Sequence, residues 1–151
     1  QIPKRERGDM IKAYYKRLTS KDKAVRKAAA KAWSTWEGST SKLYTNPELV
    51  KKMGGGRFAD AFARIECHYF INGGFFKRDD QLLHNVKRIR HIPAVIVQGR
   101  YDVVCPARSA WDLHQVWPEA KLIMVDDAGH SMTEPGIRSA LIEETHRFAK
   151  L

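Results

Sequence analysis

Asp102 and His130 have the residue types and spacing that could do chemistry together. Asp102 lies in "GRYDVVCP", Gly99 to Pro106, directly after the apolar run Ala94–Val97. His130 lies in "DDAGHSM", shortly after a second apolar run that ends at Val125. Each residue therefore sits just past the carboxyl end of a predicted strand. Open α/β sheets build their sites along that edge. A carboxylate there can hold an imidazole in one tautomer and stabilise its charged form. A strand-end Asp alone is commonly a turn or cap residue, and a lone His is commonly a structural one. Acid then base across one β-α-β unit favours an acid–base pair. Gly99 and Gly129 are expected to let the backbone turn sharply before each residue.

Such a pair needs a nucleophile, and the acid-then-base order matches triads in which a serine comes first. The serine would lie in a G-x-S-x-G elbow between a strand and a helix. That motif does not occur here. Ser20, Ser34, Ser39, Ser41, Ser109, Ser131 and Ser139 all lack the context. The expectation is an acid and a base without the attacking group.

Two glutamates stand out. Glu66 projects between Phe62 and Tyr69 on the face predicted to be apolar, where a carboxylate is costly without a partner. Glu37 lies at the end of "AWSTWE", where negative charge opposes the helix dipole. Pairing with an arginine would explain Glu66 and simple exposure would explain Glu37; a binding role is the other reading. Cys67 and Cys105 are the cysteines; no CxxC pair and no Cys/His spacing suggests a metal. Cys105, three residues past Asp102, reads from its residue type alone as an inert loop or core thiol.

The elements that must position these residues fall into two halves. Helices are predicted over Gly8–Leu18, Asp22–Trp36 and Phe58–Ile71, with Thr19 or Ser20 as the N-cap of the second. Val25, Ala29, Ala32, Trp33 and Trp36 are expected to share the buried face of that helix, ended by Gly38 and Ser39–Ser41. In the third, Phe58, Phe62, Ile65 and Tyr69 form the predicted stripe, and "NGGFF" closes it. "MGGG", Met53–Gly56, reads as a loop. The second half alternates: strand Ala94–Val97, helix Ala107–Trp117, strand Lys121–Val125, helix Ile137–Ala149. Strands linked this closely by a helix imply a parallel pair with a right-handed crossover. Two strands make a poor sheet, so further strands are expected upstream. The fold class is α/β.

Composition sets wider bounds. Hydrophobic content of 43% over 151 residues suits a folded domain. No apolar run is long enough to cross a membrane as a helix, and "QIPKRERGDM" does not read as a signal peptide. The chain does not begin with Met, so sequence upstream is expected. Cysteine usage fits a reducing, cytoplasmic setting. The net charge of +10 raises nucleic acid as a partner, but Lys and Arg recur between Ala and aromatic residues from Lys4 to Lys31, as on solvated helix faces.

"AAKAWSTWEG", "FARIECHYF", "HIPAVIVQGRYDVVCP", "WPEAKLIMVDDAGHS" and "EPGIRSAL" together resemble the proline iminopeptidases of the α/β-hydrolase superfamily. The match covers nearly the whole chain. It implies a C-terminal α/β-hydrolase fragment: residues 1–85 as a partial, mostly helical cap, and 86–151 as the last parallel strand–helix units. It implies that Asp102 and His130 are the catalytic acid and base, that Cys105 lies near the active site, and that Glu37 and Glu66 bind the substrate's amino terminus. It also implies peptides with an N-terminal proline as substrates, and a missing half with the nucleophilic serine as partner. No metal or cofactor is called for, and the isolated fragment is expected to be inactive. Two rivals remain at this stage. Another capped α/β-hydrolase, an esterase or epoxide hydrolase, would use the same Asp and His without the two glutamates. A basic, non-catalytic binding module would need a one-sided cationic stripe.

Overall fold

The structure is a computed structural model and describes residues 2–150. The chain divides into two compact units. One holds the residues up to Ser39 together with Asn46–Lys77; the other holds Thr40–Thr45 together with the residues from Arg78 onward.

The first unit is helical. Helix α1 spans Met10–Leu18, with the Asp9 carboxylate accepting from Lys12 N–H. Helix α2 spans Lys23–Thr40. Its first amides are met by Asp22, whose Oδ1 accepts from Ala24 N–H at 2.7 Å. The expected caps act elsewhere: Thr19 Oγ1 donates to Tyr15 at the end of α1, and Ser20 Oγ accepts from Asp22 N–H. Helix α2 also runs through Gly38 instead of stopping there. Helix α3, Pro47–Met53, explains why. A Cβ on buried Gly38 would lie 3.2 Å from Val50 Cα, so this glycine permits close packing and does not end the helix. Apolar periodicity does not predict α3, although Asn46 caps it and Pro47 occupies its first turn.

Helix α4, Gly56–Ile71, completes the unit. Its buried stripe is Ala59, Ala63 and Cys67; Phe58, Ile65 and Tyr69 are exposed. In α2 the buried residues are Ala29, Ala30, Trp33, Ser34 and Gly38, while Val25 and Trp36 are exposed. Both predicted faces are therefore rotated in favour of small residues. Small side chains let helix backbones approach closely, and burial of Ser34 is satisfied by its hydroxyl donating to Ala59 O at 3.2 Å. Leu18, Ala29, Ala30, Trp33, Ala63 and Cys67 form the core, with Ile11, Tyr14 and Phe62 packed on it. After α4, Gly73, Gly74 and Phe75 all adopt positive φ, a left-handed turn that stops the helix.

The second unit carries helix α5 (Gln81–Asn85), strand β1 (Val95–Gly99), helix α6 (Ala107–Val116), strand β2 (Lys121–Val125) and helix α7 (Pro135–Phe148). The strands are parallel, with Val95 opposite Lys121 and Gly99 opposite Val125. Helices α6 and α7 both pack against the pair. Val86, Trp117 and Ala120 form the buried cluster, joined by Ala94, Ile96 and Leu113. Glu144 of α7, buried, bonds Lys121 Nζ and Arg147 Nε, both at 2.6 Å, and so ties the helix to the start of β2. Most strand residues are only half-buried. Among the described residues no helix is long and apolar enough to cross a membrane.

Candidate active site

β1 and β2 end side by side, and their exits are laced together. Arg100 N–H donates to Val125 O at 2.9 Å, and Tyr101 N–H to Ala128 O at 3.0 Å. The loops that follow bring Asp102 and His130 into contact. His130 Nδ1 lies 3.0 Å from Asp102 Oδ2. A carboxylate oxygen accepts, so Nδ1 carries the hydrogen and Nε2 is the nitrogen left able to take a proton.

The carboxylate is itself held. Asp102 Oδ1 accepts from the backbone N–H of Val104 at 2.9 Å and of Cys105 at 2.7 Å. Oδ2 also accepts from Gln98 Nε2 at 3.2 Å, and that amide reaches the carbonyls of Gly99 and Cys105 as well. The Asp102 side chain is 6% exposed, that of His130 40%. A buried acid fixed by four donors, beside a half-open imidazole, is the arrangement that orients a base.

The glycines before these residues have a different task from the expected one. Neither Gly99 nor Gly129 has positive φ. They are needed for space: a Cβ on Gly99 would lie 1.9 Å from Gly129 O, and one on Gly129 would lie 2.8 Å from Leu43 N.

In the helical unit, Trp33 Nε1 donates to Glu66 Oε2 at 2.6 Å. An indole, not an arginine, meets this half-buried carboxylate. Its charge, with burial as the larger cause, holds the Cys67 thiol above its usual range. Trp33 also faces a cavity of about 870 Å³, lined by Tyr14, Trp33, Trp36, Glu37 and Phe70 among others. Glu37 is on the wall of this aromatic cavity; Glu66 is not, but it is bonded to the Trp33 indole that is. Tyr14 meets the Trp33 ring edge-on at 5.3 Å between centroids, which fixes the indole. Among the described residues no cluster of His, Cys, Asp and Glu has metal-binding geometry.

Residues 58–148 match the family model described as TAP-like protein, an α/β-hydrolase family. The chain belongs to the TAP-like family of α/β-hydrolases. This TAP-like chain is 67% identical over 147 residues to a probable proline iminopeptidase of Leptolyngbya boryana, covering 97% of the chain and 46% of the relative. It is 55% identical to the proline iminopeptidase of Xanthomonas citri, covering 98% of the chain and 47% of that relative. With the proline iminopeptidase of Arabidopsis thaliana the figures are 54% identity, 99% and 40%. The chain spans about half the length of the curated relatives it matches.

Two residues of this TAP-like site are not singled out by sequence pattern. Gln98 lies inside an apolar strand, and a polar residue at such a strand end was its only signal. Glu134 is buried beside Gly129 and accepts its N–H at 2.8 Å. Its signal was an acidic residue directly before Pro135, which reads as an ordinary helix start.

Proposed function

We propose that this chain carries the acid, the base and the substrate-binding carboxylates of a serine-type proline iminopeptidase, and that a part of the polypeptide outside these 151 residues supplies the nucleophile. The observation that carries the reading is the 3.0 Å contact between His130 Nδ1 and a buried, fully bonded Asp102. The names of the relatives point to the same class of enzyme. Residues 1–85 are then the partial cap and 86–151 the last strand–helix units of the hydrolase core, with Thr40–Thr45 and residues 78–85 of the cap belonging to the same compact unit as the core part. The half-buried strands β1 and β2 suit a sheet continued by further strands.

In this mechanism His130 Nε2 takes the proton of the serine hydroxyl as its oxygen attacks the carbonyl of an N-terminal proline. Asp102 keeps the imidazole in the Nδ1–H tautomer and stabilises the imidazolium. His130 then returns the proton to the leaving peptide amine, and water, activated by the same imidazole, frees proline from the acyl-enzyme. The proline amino group is a secondary ammonium. Glu37 and Glu66 bind it through charge-assisted hydrogen bonds, roughly twice as strong as neutral ones. Trp33, already bonded to Glu66, presets that carboxylate.

The test is release of proline from Pro-β-naphthylamide by the full-length protein. Asp102→Asn is expected to lower kcat by about 10⁴-fold, the effect of a wrong tautomer. Glu66→Ala is expected to reduce kcat/KM for proline substrates by about tenfold or more, with a smaller loss on a simple ester. Full turnover by Asp102→Asn refutes the acid–base assignment. Equal losses on both substrates remove Glu66 from specificity and favour a general esterase.

A further inference from the structure

We propose that Glu134 is a positioning residue for His130, a role that rests on the hydrolase reading above. Glu134 stands at the N-cap of α7 yet makes no capping bond with its side chain. An N-cap carboxylate ordinarily accepts from the first amides of its own helix. This one turns away. Oε1 accepts from Gly129 N–H at 2.8 Å, and Oε2 accepts from Leu43 N–H at 3.0 Å. The residue is 6% exposed. Burying a carboxylate is costly, and two backbone donors offset that cost only if both are held in place.

What it holds is the peptide directly before the base. Glu134 N–H also donates to Ser131 O at 3.0 Å, a turn over 131–134, while the Gly129 N–H bond to the Glu134 side chain closes the wider loop 129–134 that contains His130. Gly129 is fixed from three sides. Its N–H is bonded to Glu134, its carbonyl rests against Gly99, and its Cα faces the backbone of Lys42 and Leu43. The Cα that precedes the imidazole is closely packed, since a Cβ there would lie 2.8 Å from Leu43 N. Asp102 sets the far end of the ring through Nδ1, while Glu134 sets the backbone from which the ring projects. An apolar residue at 134 would pack at lower cost but would leave the buried Gly129 N–H and the half-buried Leu43 N–H without their acceptors.

The experiment uses Glu134→Gln in the full-length protein. The variant keeps the shape but turns an amide N–H₂ toward one of the two backbone donors. Activity is normalised by active-site titration of the serine, so that a smaller folded fraction does not count. The expected result is a kcat lower by about 10- to 100-fold, on the scale of a roughly 1 Å misplacement, with KM within about twofold. The second readout is the ¹⁵N signal of the His130 ring: wild type shows one fixed Nδ1–H tautomer, and the variant shows an averaged mixture. An unchanged ring signal overturns the positioning role even if kcat falls, and so does an unchanged kcat per titrated site. If Glu134→Gln does not fold, Glu134→Asp, which keeps the charge on a shorter arm, is read by the same two criteria. His130→Ala separates the two levels of inference: full turnover without the imidazole ends the hydrolase reading itself, whereas loss of turnover there with normal Glu134 variants ends only the present one.

Discussion

Gly99→Ala is the smallest change that tests how the acid and base are brought together. The added Cβ would lie 1.9 Å from Gly129 O, 2.7 Å from Ala128 O and 2.8 Å from Gly129 C. All three are backbone atoms, so no rotamer change relieves the overlap. Real Cβ contacts essentially never fall under 3.0 Å, so the two strand exits must part by about 1.1 Å. The same displacement would stretch the 3.0 Å His130–Asp102 contact to about 4 Å, beyond hydrogen-bonding range. Overpacking of this kind costs about 1–3 kcal/mol. For a chain of this length that is about 2–4 °C in Tm per kcal/mol. The loss belongs to the second unit, so amide exchange in β1 and β2 should quicken while α4 keeps its protection. In the full-length protein, kcat should fall by about 10²-fold. Gly8→Ala is the control: nothing lies within 4 Å of its Cβ, and its effect should stay within about 0.5 kcal/mol. A Gly99→Ala protein with wild-type Tm, exchange and ¹⁵N ring signals would falsify the close approach on which the site depends.

Two further outcomes follow from the charges and thiols. Hydrogen bonds from Lys121, and then Arg147, hold the Glu144 carboxyl below its ordinary value near 4.5. Its contribution is present in full above the unfolded value and is lost as pH falls from about 5 through the lowered folded value. Glu144→Gln should therefore lower Tm at pH 7 and lower it progressively less as the pH falls below the ordinary carboxyl value; a drop that stays constant with pH rules out the ion pair as the cause. Cys105 is exposed, whereas Cys67 is 1% exposed with its thiol raised by burial and by the Glu66 charge. Of these two cysteines, iodoacetamide at pH 8 should label Cys105 alone, read by peptide mass, and reach Cys67 only in denaturant; labelling of Cys67 in native buffer would show that the helical core opens.

Sequence pattern carried far in the second half and less far in the first. β1 and β2 were legible because short β-branched runs bounded by Pro93, Gly99 and Trp117 leave few alternatives, and their parallel pairing followed from the helix between them. Asp102 and His130 were legible for the same reason: strand ends place residues at one edge. The helical faces were misjudged because periodicity weights large apolar residues. Helices α2 and α4 instead bury Ala29, Ala30, Ala59 and Ala63, and leave Val25, Ile65 and Tyr69 outside. Local pattern cannot tell a glycine that bends the chain from one that makes room for a distant backbone. Gly38, Gly99 and Gly129 are all of the second kind. Glu134 was hidden more completely, since its partner Leu43 lies 91 residues away along the chain.

The path of the chain has a consequence for anyone who would dissect or recombine it. Thr40–Thr45 belongs with the later residues although helical segments of the other unit flank it on both sides. A single cut near Lys77 therefore splits the second unit, although it leaves the first intact. The downstream product would lack the short strip that carries the Leu43 amide and would strand a carboxylate. Shuffling by one crossover between relatives would mix the strip of one parent with the histidine loop of another. Chimeras that survive should be those whose exchanged blocks carry both.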